Sequence, residues 1–204
     1  MHTFTLVFLI ALALTTLTQI WLATRHIRHI RAHQNTVPEK FSSQINLADH
    51  QKAADYTCAK TRTGYPGVVL QVALLLIFTL GGGLNALNSF WANWLGDPLA
   101  HGMALIISTF LLMGIAEVPL SYYRTFVIEE QYGFNKMTRA MFFTDLIKQS
   151  LLGLLLGAPL LFCVLWLMEK TGENWWLYAW LAWIAFNLVV LAIYPTWIAP
   201  LFNK

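Results

Sequence analysis

Three groups of side chains in this sequence have the type and spacing to do chemistry. His26, His29 and His33 recur at i, i+3 and i+7, so on a helix they share a face and could ligate a metal or a haem iron. Glu117 lies inside a long apolar run, where a carboxylate is costly and is a functional hypothesis by default, and Arg124 follows two helical turns later. Glu129 and Glu130 are adjacent and lead into Gly133-Phe134-Asn135-Lys136, two carboxylates beside a glycine turn.

Each group also has a plainer reading. The histidines alternate with Arg25, Arg28 and Arg31, whose charge disfavours a bound cation, and no Cys, Asp or Glu joins them before Glu39. A basic interfacial stretch is therefore the stronger reading. Glu117 can pair with Arg124, although Pro119 intervenes, and that structural pairing is favoured over a direct role in a polar cavity. Paired glutamates in a connection are most often solvated.

The elements that must position these residues are membrane spans. The 204 residues are 57% hydrophobic and 11% charged, with a mean hydropathy of +0.56, which excludes a water-soluble domain with a charged surface. Crossing the hydrocarbon takes about 20 predominantly apolar residues, and five stretches qualify: 3–23, 68–94, 99–122, 147–168 and 175–198. The expected fold is all-α, a polytopic membrane protein with amphipathic helices in its polar connections. The first run lacks basic residues ahead of its apolar core and is followed at once by "RHIRHIRAH", which marks a retained signal-anchor rather than a cleaved leader.

Basic residues near helix ends resist translocation. Of the 13 Lys and Arg, all but Lys170 fall in the connections 24–67 and 123–148 or at the C-terminal end. The N-terminus is expected to be extracytoplasmic, with the first and third connections and the C-terminus cytoplasmic. The same distribution accounts for the basic pI without a nucleic-acid partner. Cys58 and Cys163, in a polar connection and in mid-span, do not form a disulfide framework.

Local patterns refine this frame. In "INLADHQKAADYTCAK", Ile45, Ala48, Lys52, Ala53 and Tyr56 have helical spacing and predict a helix in the first connection. "GGGLNALNSFW" places three glycines inside the second run, tolerable where neighbouring helices cover the backbone. Gly153 and Gly157 form a G-x-x-x-G pair that permits close helix approach. After Gly133, a helix from Lys136 onward would carry Met137, Ala140, Met141, Thr144 and Ile147 on one side. Trp91, Trp94, Trp175, Trp176 and Trp197 stand near span ends, as aromatic belts do.

Three stretches, in order, carry a family resemblance: "HQKAADYTCAK", then "EVPLSYYRTF" with "VIEEQYGFNKMTRAMFFTDLIK", then "YPTWIAPLFNK". Together they resemble the type I CAAX prenyl proteases, integral-membrane zinc metalloendopeptidases, over nearly the whole chain. The resemblance implies seven spans around an intramembrane chamber and a cytoplasm-facing zinc site after the fifth. The family's chemistry rests on H-E-x-x-H, two histidines on zinc with the glutamate as general base. None of the six histidines here is followed by glutamate, so no zinc site of that type is expected in this chain.

The expectation is therefore that residues 1–204 are the N-terminal membrane domain of such a protease, binding no metal and inactive by itself. The catalytic zinc domain is expected after residue 204. The resemblance implies that the present part supplies chamber walls and docks that domain. Glu129, Glu130, Phe134, Asn135 and Lys136 are the candidate docking loop, and Pro200 and Asn203 belong to a second docking segment. Glu117 and Arg124 are candidates for the chamber. Implied partners are the lipid bilayer, the catalytic domain and a peptide or lipidated-protein substrate. A bacterial inner membrane is preferred, with the endoplasmic reticulum as the alternative. Competing readings are a non-catalytic membrane scaffold, and a small transporter using Glu117 with Asn85 and Asn88.

Overall fold

The computed structural model describes residues 3–201, and among them no strand occurs. Five helical stretches are long and apolar enough to cross a membrane: Thr3–His33, Leu47–Thr79, Pro98–Tyr132, Arg139–Lys170 and Gly172–Leu201. The all-α, five-span expectation holds.

Helix α1 (Thr3–His33) continues well past the apolar run into the basic segment. Its threonines would be expensive in hydrocarbon if unpaired; Thr16, Thr18 and Thr24 each donate to the carbonyl four residues back at 2.7 Å. Helix α2 (Leu47–Arg62) begins at Asn46, whose side-chain oxygen accepts from the Asp49 N–H at 2.8 Å, satisfying one of the end's orphan donors. The helix expected in the first connection forms, its bounds corrected to Leu47–Arg62. Ile45, Ala48, Lys52 and Ala53 are exposed, and the buried positions are Ala54 and Cys58, one turn apart. α2 packs on α1, and its buried side chains are small.

The second expected span, 68–94, is also corrected, because it is two helices. Helix α3 (Gly64–Thr79) ends at Leu80, and α4 (Gly83–Ala92) starts after Gly82, whose φ is 78°. The glycines are required there. A methyl on Gly81 would stand 2.8 Å from the Ile77 carbonyl oxygen, and φ near 78° is a region that residues with a Cβ rarely enter. Ten residues of α4 rise about 15 Å, too short to span alone.

Helix α5 (Pro98–Tyr123) opens with Pro98 at its first position, where a missing N–H costs nothing, and Asp97 accepts from the Ala100 N–H at 2.7 Å. It runs on through a π-helical turn (Arg124–Glu129) into the short α6 (Glu130–Tyr132). Helix α7 (Arg139–Lys170) starts at Thr138, whose hydroxyl accepts from the Met141 N–H at 3.2 Å. The helix expected after Gly133 therefore begins at Arg139 and is continuous with the fourth span. Helix α8 (Trp175–Ile193) packs on α7 and widens into a second π-turn, Tyr194–Ile198, at Pro195, which supplies no N–H.

Contacts divide the chain into two compact units, one formed by the residues up to Gly82 with Met113–Lys136, the other by Gly83–Leu112 with the residues from Met137 on. Few side chains are buried in either. Large apolar groups such as Phe4, Phe110, Leu155 and Leu191 stand exposed, an arrangement suited to lipid or to further protein rather than water.

Candidate functional site

In the first unit, the segment 124–136 is organised around a helix end. Gly133 adopts φ 78° and ψ 20°, and around it the Gly133 N–H donates to the Glu130 carbonyl at 3.0 Å while the Phe134 N–H donates to that of Glu129 at 2.8 Å. These two bonds are the Schellman closure of a helix, which glycine permits because it has no Cβ. Glu129 and Glu130 are thus part of the helical extension of the third span, not of a free loop. The Asn135 N–H also donates to the Glu129 carbonyl, at 3.2 Å, and its side-chain amide donates to the Glu130 carboxylate at 2.8 Å. The Glu130–Asn135 pair ties the turn back to the helix that precedes it.

This turn grips α2. Tyr56 lies between Phe134, with ring centroids 4.5 Å apart, and Tyr132, edge-on at 5.4 Å. The Lys60 ammonium stands 5.6 Å over the same Tyr56 ring. Below the aromatics, Ile128 of the π-turn is buried, as are Ala54 and Cys58 of α2. Phe134 is nonetheless 53% exposed, and Lys136 projects to the surface.

One turn deeper, Glu117 and Arg124 line a mostly polar cavity of about 160 Å³ with Gln71, Ser121, Gly67, Leu70 and Leu120. The favoured Glu117–Arg124 ion pair does not form: among the described residues the ion pairs are Lys148–Asp145 and Lys170–Glu169. Arg124 instead donates to the carbonyl of Thr63 at 3.2 Å, at the junction of α2 and α3. Both side chains face the cavity without meeting.

In the second unit, Pro200 sits exposed in a 3₁₀ turn, Ala199–Leu201, that follows the second π-turn. Lys148 of α7 donates to the Leu201 carbonyl at 3.3 Å and pairs with Asp145 at 3.7 Å. Asn203 lies outside the described residues. The same unit holds an open apolar cavity of about 520 Å³, lined among others by Phe110, Gly153, Gly157 and Trp183. A methyl on Gly153 or Gly157 would meet nothing within 4 Å. This pair does not mediate a close helix approach in the described structure, contrary to the G-x-x-x-G reading.

The zinc implied by the family resemblance finds no fitting ligand set among the described residues. No three His, Cys, Asp or Glu side chains group as metal ligands among the described residues. His29 and His33 do meet, with ring centroids 4.4 Å apart, but His33 Nδ1 donates to the His29 carbonyl at 2.8 Å and His50 Nε2 to the His33 carbonyl at 3.3 Å. Those nitrogens are engaged with backbone.

Sequence reasoning missed Tyr56 as the turn's partner, Thr63 and Gly67 as Arg124's surroundings, and Lys148 as the contact of the 199–201 turn. The signal within reach was Gly67, a small residue at a helix start facing an arginine-bearing span.

Comparison with known proteins agrees with this layout. Residues 26–204 match the family described as CAAX prenyl protease N-terminal, five membrane helices. The CAAX prenyl protease 1 homolog of Caenorhabditis elegans is 33% identical over 179 residues, 87% of this chain and 40% of that protein. The human homolog is 28% identical over 193 residues, 91% of this chain and 40% of that one. The crystal structure of Ste24p from S. mikatae superposes with a TM-score of 0.90 at 23% identity, over 100% of this chain and 49% of that one. The chain thus spans about 40% of the length of these curated relatives and about half of the solved one.

Proposed function

The chain belongs to the CAAX prenyl protease N-terminal family, and on that premise we propose that it is the membrane domain of a zinc metalloendopeptidase, forming part of an intramembrane chamber and docking a catalytic domain that follows residue 204. The zinc ligands, the general base and the peptide-bond chemistry belong to that catalytic domain. The substrate class is a C-terminal or membrane-associated peptide, such as the tail of a lipidated protein.

The observation that carries the docking role is the construction of the 129–136 turn. It is held from within by the Gly133 closure and the Glu130–Asn135 bond, and from beside by Tyr56, yet it leaves half of Phe134 outward and Lys136 exposed. A rigid turn with an exposed aromatic and an exposed cation is suited to hold a partner in register, since a catalytic site tolerates little misplacement. The Ala199–Leu201 turn is the second docking element in this reading, and the Glu117–Arg124 cavity contributes polar surface to the chamber.

The orientation follows from the basic residues: N-terminus extracytoplasmic, and the connections holding 24–67 and 123–148 cytoplasmic. The membrane is the bacterial inner membrane or the endoplasmic reticulum, and the organisms of the relatives favour the second. The test is made in the natural polypeptide. Glu130→Ala or Asn135→Ala should lower proteolysis of a lipidated C-terminal peptide about tenfold or more with zinc content unchanged. Unchanged turnover in both variants would rule out the docking role.

A further inference from the structure

The basic end of α1 has no acidic partner for its charge among the described residues. Within Thr3–His33 there is no Asp or Glu, and the apolar part gives way at Trp21 to Arg25, Arg28 and Arg31. Trp21, Arg25, Arg28 and Ala32 recur at i, i+4, i+7 and i+11, one stripe along the helix, with Arg31 one turn from Arg28 beside it. Ile27, the buried residue of this helix, lies well round the helix from Trp21, Arg25 and Arg28 and one turn before Arg31. The three arginines are exposed, and none pairs with an acidic side chain among the described residues. Arg25 does have a neighbour: its guanidinium stands 5.6 Å over the Trp21 ring.

Depth follows from helix geometry. Trp21 is the type of residue that sits at the membrane–water boundary. At about 1.5 Å per residue, Arg25 lies roughly 6 Å beyond it and Arg28 roughly 10 Å, at the level of lipid headgroups. The stripe therefore presents unpaired guanidinium groups to phosphate, the anion for which their planar donor fork is best shaped.

We propose that Arg25, Arg28 and Arg31 form a binding surface for the phosphate headgroups of anionic membrane lipids, with Trp21 seating the helix at the boundary. Basic side chains beside a span draw anionic lipid by about fivefold each, the factor that goes with ~1 kcal/mol per residue. The surface orders the first connection by fixing α1 against the bilayer. This inference uses the charge and geometry of α1 and stands apart from the protease reading.

The test is native mass spectrometry of the natural polypeptide in detergent, titrated with dioleoylphosphatidylglycerol and, separately, dioleoylphosphatidylcholine. Phosphatidylglycerol should bind at least tenfold more tightly, and an R25Q/R28Q/R31Q variant should lose that preference. The R25K/R28K/R31K variant, which keeps charge and insertion signal, should retain most of it. Single R25Q and R28Q exchanges, each costing about fivefold, keep the question answerable should the triple glutamine variant fail to insert. Equal binding of the two lipids, or full phosphatidylglycerol preference in the glutamine variants, would overturn the proposal. Displacement of phosphatidylglycerol by glycerol phosphate would do so as well, by assigning the arginines to a free anion.

Discussion

Arg124 and Gly67 are fitted to one another: a methyl on Gly67 would stand 3.0 Å from Arg124 Nη2, the same nitrogen that donates to the Thr63 carbonyl at 3.2 Å. Gly67 is buried at the first turn of α3, and the guanidinium lies across it. The bond joins the α2–α3 junction to the start of the π-turn, two places 61 residues apart in sequence. Gly67→Ala should push the flexible guanidinium aside and cost about 1 kcal/mol, the scale of a charged hydrogen bond discounted for Arg124's exposure. Thermal unfolding of the purified natural polypeptide reads it, and in an Arg124→Ala background the same exchange should cost much less.

Glu117 behaves differently, since it shares the cavity with Arg124 and forms no ion pair. Glu117→Gln should leave stability within about 0.5 kcal/mol of the parent. A loss several times larger would show that its charge is a structural partner in the assembled protein.

The Tyr56–Phe134 contact should appear as coupling. Phe134→Ala and Tyr56→Ala, alone and together, should give an interaction energy of about 0.5 to 1.5 kcal/mol, as expected for a ring pair. Hydrogen exchange along Leu47–Arg62 should accelerate in Phe134→Ala, because α2 loses the aromatic that covers it.

Lys148→Met should free the 199–201 turn. The carbonyl of Leu201 loses its donor at 3.3 Å, and limited proteolysis near Leu201 should speed up while the unfolding midpoint changes little. An unaltered digestion pattern would show that the turn is held by other contacts.

Much of this fold was readable from local pattern. Apolar runs of sufficient length placed the five spans, Gly133 marked a turn, and the glycines at 81–83 stood out inside the second run. There Gly82 takes a left-handed conformation that ends the helix. The helix in the first connection was legible from its spacing, but its buried positions, the small Ala54 and Cys58, were not, because close packing rather than hydropathy selects them. The Arg124–Thr63 bond joins residues far apart in the chain, which no local spacing encodes. The same holds for the missing Glu117–Arg124 pair: two turns along a helix brings the side chains to one face, but the nearer carbonyl of Thr63 takes the guanidinium.

The central claim is that this chain is the membrane part of a longer endopeptidase. It is tested most directly by the size of the natural polypeptide in its own membranes, read by immunoblot with an antibody against residues 24–65. The account predicts a band at more than twice the 23.2 kDa of these 204 residues, as expected if the chain is about 40% of the whole. A single band at 23.2 kDa would contradict it.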